Sequence, residues 1–62
     1  MKFITAYMEN DARILTYINA DQICSIHEVE PGGLCSHVIM NNGQRYVVTK
    51  SPGELVDEIM NQ

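Results

Sequence analysis

Cations are scarce in this chain: Lys2, Arg13, Arg45 and Lys50 stand against eight carboxylates in 62 residues, for a formal net charge of -4. Proteins that grip nucleic acid neutralise phosphates with a basic stripe, and four dispersed cations are too few for a long one. Long apolar runs are missing too. Phe3-Ile4-Thr5-Ala6-Tyr7 gives way to Glu9-Asn10-Asp11, far short of a secretory core or of the ~20 apolar residues of a membrane-spanning helix. The expected compartment is therefore the cytoplasm. There the two cysteines, Cys24 and Cys35, are expected as free thiols. No CxxC pair is present to lower a thiol pKa.

Catalytic constellations are absent from the pattern. No serine, cysteine or threonine sits in a nucleophile motif, and Asp57 and Glu58 are helix neighbours that diverge. Gly32-Gly33 lacks the lysine and helix of a phosphate loop. The expectation is a protein that is not an enzyme and carries no cofactor. With no repeat, linker or low-complexity tract, residues 1–62 read as one domain. A domain this short hides only about 60% of the surface its unfolded chain exposes, so a partner subunit is a natural source of further stability.

What is present is mostly architecture. Asn42-Gly43 separates the runs His37-Val38-Ile39-Met40 and Gln44-Arg45-Tyr46-Val47-Val48-Thr49, which predicts a hairpin with a type I′ turn, positive φ at both central residues. Ser51-Pro52-Gly53-Glu54 predicts a helix start. Ser51 is placed to cap, Pro52 loses no hydrogen bond at the first helical position, and Glu54 completes a capping box. The helix carries Leu55, Val56, Ile59 and Met60 as one apolar stripe expected to be buried.

Alternation marks three earlier strands: Phe3 to Met8, Arg13 to Ile18 and Ile23 to Val29. The third has an imperfect pattern, and a bulge between Ile23 and Ile26 would turn both inward. Glu30-Pro31-Gly32-Gly33 predicts a type II turn. The fold class is thus α+β: a small antiparallel β-meander of about five strands closed by one C-terminal α-helix.

Cys24, His27, Cys35 and His37 together supply the ligand types of a tetrahedral zinc site. Their spacing opposes convergence, because Cys24 and His27 point to opposite faces of a regular strand, and no metal is expected.

The run Ile18-Asn19-Ala20-Asp21-Gln22-Ile23, the hairpin Asn42-Gly43-Gln44-Arg45-Tyr46-Val47-Val48 and the helix from Ser51 to Met60 resemble the small flagellar FlbD family. The short strands and closing helix are also similar to the first half of LytTR-type DNA-binding domains. The chain departs from the first pattern in its Pro-Gly-Gly loop, and from the second in having no basic loops downstream.

Taken together, the residues point to a small accessory or regulatory protein that acts by protein–protein interaction, with itself as a homo-oligomer and with another protein as expected partners. Tyr7, Tyr17 and Tyr46 are the candidate contact residues, since their rings combine apolar area with a hydrogen-bonding tip. A second reading is a nucleic-acid-binding regulator that gathers Arg13, Arg45 and Lys50 on one oligomer face. A third is a zinc-binding domain built on the cysteines and histidines.

Overall fold

The computed structural model describes residues 2–62 and places five strands and one helix along the chain: β1 (Phe3–Met8), β2 (Asp11–Asn19), β3 (Ile23–Glu28), β4 (Ser36–Met40), β5 (Arg45–Val48) and α1 (Pro52–Met60). All pairings are antiparallel, in one open sheet of order β2-β1-β5-β4-β3. The α+β meander with its C-terminal helix is the architecture observed. One link in it is unusual. β2 and β3 follow each other through only a single 3-10 turn, Ala20–Gln22, yet they occupy opposite edges of the sheet. The Asn19 side chain caps that turn by accepting from Asp21 N–H at 3.0 Å.

Alternation decides which side chains meet. Ile4, Ala6, Ile18, Val38, Val48 and Leu55 form the buried core, with Met8, Ile23, Ile26, Met40, Tyr46 and Ile59 packed against it. The bulge expected in β3 is present, because the register with β4 shifts between Ile23 and Ser25. It brings both isoleucines to the core side of an otherwise out-of-phase strand. A larger irregularity interrupts β2: Met8 pairs with Asp11 while Tyr7 pairs with Leu15, so Ala12, Arg13 and Ile14 form an excursion. Asp11 pins it by accepting from Arg13 N–H at 3.1 Å and from the guanidinium at 3.0 and 3.1 Å.

The two glycine turns differ in outcome. Gly32 has φ +73 and Gly33 N–H donates to Glu30 C=O at 2.9 Å, as a type II turn requires. The β4–β5 connection is not the expected type I′ turn, since no residue other than glycine has positive φ among the described residues. Gly43 N–H instead donates to Met40 C=O at 2.9 Å and Met40 N–H to Gln44 C=O at 2.8 Å. Asn41 and Asn42 therefore sit at the centre of the turn, and Gly43 at φ +87 follows them, the three-residue hairpin closed by a glycine bulge. Asn42 Oδ1 selects this form by accepting from Gln44 N–H at 3.0 Å.

The helix begins as the sequence predicts, with Ser51 and Glu54 in a reciprocal capping box and Pro52 in the first turn. Its buried face is different. Leu55 is fully buried and Ile59 half-buried, whereas Val56 is 47% and Met60 76% exposed. Each residue advances about 100° around a helix, so a face centred on Leu55 and Ile59 admits Glu58 on one flank or Val56 on the other. Glu58 takes the place because β1 needs it. β1 pairs with β5 only at its end, Met8 opposite Val48, and Thr5 N–H would otherwise lack a partner on that side. Glu58 accepts from Thr5 N–H at 3.0 Å and from Lys50 Nζ at 2.7 Å, and Gln62 Nε2 donates to Phe3 C=O. Glu58 of the helix and Gln62 just beyond its end thus stand where a strand would be.

Candidate interaction surface

The β1–β2 register sets Thr5 opposite Tyr17, Tyr7 opposite Leu15 and Phe3 opposite Asn19. These side chains share one face of the hairpin, because Ile4, Ala6 and Ile18 take the other into the core. Phe3 is 44%, Tyr7 46%, Leu15 43% and Tyr17 66% exposed. Four large apolar residues on one hairpin face form an uncovered patch of the kind that marks recognition surfaces. Tyr7 and Tyr17 are therefore brought together. Tyr46 is not, for it pairs with Val38 on the core side and is half-buried. Phe3 and Leu15 are the members that the sequence reading missed, and their signal was the period of two already used to find the strands.

The cations tell against a basic face. Arg13 is held by Asp11 and Lys50 by Glu58, the two salt bridges among the described residues. The Arg13 guanidinium holds the Asp11 carboxyl below the usual carboxylate range, and Asp11 in turn raises Arg13. Partial burial pushes the Glu58 carboxyl up, but the Lys50 ammonium and the Thr5 N–H together outweigh it and hold the carboxyl below its ordinary value. Only Arg45 of the three proposed contacts is exposed and outside an ion pair. A phosphate would have to displace a carboxylate from each of the other two.

The cysteines and histidines are spread over the β3–β4 hairpin. Cys24 is exposed at the bulge, Cys35 is half-buried in the loop before β4, and both thiols are free. His27 and His37 are register partners, with His27 Nε2 at 2.9 Å from Ser25 Oγ. His37 Nδ1 is buried without a hydrogen-bond partner. Among the described residues no group of three or more His, Cys, Asp or Glu is placed to hold a metal ion, and Cys24 stands two residues or more along the ladder from the histidine pair.

A cleft of about 310 Å³ opens beside the C-terminal end of β2. Asn19, Gln22, Asn41, Asn42 and Gln44 line it with Phe3, Tyr17 and Tyr46, and none of its lining residues among those described is charged. None of the sequence motifs pointed to it, since its walls come from three separate turns and strands. No nucleophile with a base lies there, so its chemistry is that of neutral hydrogen bonding and stacking. No helix among the described residues is long and apolar enough to cross a membrane. Comparisons with protein-family models, curated proteins and solved structures give no significant match.

Proposed function

We propose that this chain is a non-enzymatic accessory or regulatory protein that works by protein–protein interaction, through the outer face of the β1–β2 hairpin, and that it self-associates. The observation that carries this reading is the exposure of Phe3, Tyr7, Leu15 and Tyr17 on one face. Such rings give large contact area at low cost in conformational entropy and are enriched at interface centres. The thin core agrees with it, because six buried apolar side chains among the described residues leave a domain of this size short of stability without association. The resemblance to the flagellar FlbD family is consistent with an accessory role.

The test compares proteins captured from the native host by the wild-type chain and by the Tyr7→Lys/Leu15→Lys variant, both checked for folding by circular dichroism. The expected result is a discrete partner retained by the first and lost by the second. Identical capture profiles would contradict the assignment of this face.

A further inference from the structure

The outer face of β3, β4 and β5 carries a polar cluster that the register assembles. Ser25 pairs with Ile39 and His27 with His37, while Ile39 pairs with Arg45 across the next strand. Ile26, Val38 and Tyr46 turn to the core, so by alternation Ser25, His27, His37, Ile39 and Arg45 share the opposite face. These five residues line one open hollow of about 440 Å³, and none of its lining residues among those described is acidic. Ile39 is its apolar floor. Ser25 stands on one side of it, Arg45 on the other, and His37 follows on its own strand.

Three of these side chains can donate hydrogen bonds into the hollow. Arg45 is exposed and in no ion pair among the described residues. His37 Nδ1 is buried without a partner. An unpaired N–H is rarer in protein interiors than an unpaired acceptor, which puts the ring proton on Nε2 and makes that nitrogen the donor. Ser25 Oγ lies 2.9 Å from His27 Nε2. When that nitrogen donates to Oγ, the serine O–H is left to donate elsewhere. His27 is thus a positioning residue for Ser25.

We propose that this hollow binds a phosphate monoester, whose three terminal oxygens accept from Ser25 O–H, His37 Nε2–H and the Arg45 guanidinium. The number of oxygens decides the ligand class. A phosphate monoester presents three strong acceptors, one for each donor, whereas a carboxylate presents two. A single cation suits one phosphate and not the phosphate backbone of a nucleic acid. The ester group points outward, so a phosphorylated small molecule and a phosphorylated peptide side chain offer the same chemistry. One carboxylate stands in competition: Glu9 lines the two neighbouring hollows, beside His37 in one and Arg45 in the other, without an ion pair to either. Glu30 and Cys35 also border His37 in the first of these.

NMR titration of the isotope-labelled chain with phenyl phosphate at low salt tests the site. Saturable shifts are expected at Ser25, His37, Ile39 and Arg45. Arg45→Gln, checked for folding by circular dichroism, is expected to weaken binding about tenfold through loss of a charge-assisted contact. Arg13→Gln leaves the affinity unchanged, and Glu9→Gln tightens it by removing the competing carboxylate. Phenylacetate, with one oxygen fewer, is expected to bind about tenfold more weakly. A phosphoserine tripeptide as a second probe separates the two sources, the tighter of the two probes naming the source. Shifts that do not saturate, or an affinity indifferent to Arg45→Gln, would overturn the site. Equal affinity for phenylacetate would overturn its assignment to phosphate.

Discussion

Glu58 shows how much one side chain can decide in a small domain. It joins α1 to β1 through Thr5 and to the β5–α1 connection through Lys50, while Ser36, fully buried, donates to the Lys50 carbonyl at 2.6 Å. Because the folded structure holds the Glu58 carboxyl below its ordinary value of 4.5, its stabilising contribution is complete above that pH and is lost as pH falls through the lower folded value. Glu58→Gln keeps an acceptor for Thr5 but removes the charge opposite Lys50. It is expected to cost about 1 kcal/mol at neutral pH. Urea unfolding of both proteins at neutral and strongly acidic pH checks this: the gap closes on acidification, and a gap independent of pH would assign the effect to packing. Ser36→Ala leaves the part-buried Lys50 carbonyl without this donor and is expected to cost about 1 kcal/mol in the same assay.

The elements were legible where backbone chemistry is local. The cap at Ser51, the Pro31-Gly32 turn and the bulge in β3 each follow from residues within a few positions of one another. The β4–β5 turn was legible as a turn but not as a type, because Asn42 uses its side chain to hold Gln44 and so keeps an ordinary negative φ. The helix face was hidden for a different reason. Hydropathy counts Glu58 as an outward residue, and nothing in the sequence tells that β5 leaves β1 early. Leu55→Ala is expected to cost about 2–5 kcal/mol and to abolish the helix signal in circular dichroism, while Val56→Ser changes stability by no more than about 0.5 kcal/mol. At the start of the same helix, Ser51→Ala is expected to cost about 1 kcal/mol. Gly53→Ala is expected to add about 0.4–1 kcal/mol, since a Cβ there meets nothing within 4 Å. Thermal melts of the four variants separate these outcomes.

For the whole molecule, fold class was readable from sequence, but the order of strands was not. Each neighbour in the chain is expected to pair with the next, and β2 and β3 do not; the 3-10 turn between them is too short to cross a flat five-stranded sheet, so the sheet curls to bring its two edges together there. That one departure leaves β2 unpaired on one side and opens the cleft at its end. The outer face of the β1–β2 hairpin carries Phe3, Tyr7, Leu15 and Tyr17 in partly exposed positions. Of the tyrosines singled out by residue type, two belong to that face and one to the core side. Residue type alone does not separate them; register does.

On the proposed function, this small domain gains further stability by self-association. Light scattering of the purified chain from micromolar to millimolar concentration tests this most directly. The predicted result is a mass that rises from 7.0 kDa toward twice that value as concentration increases. A well-folded chain that holds at 7.0 kDa throughout would contradict it.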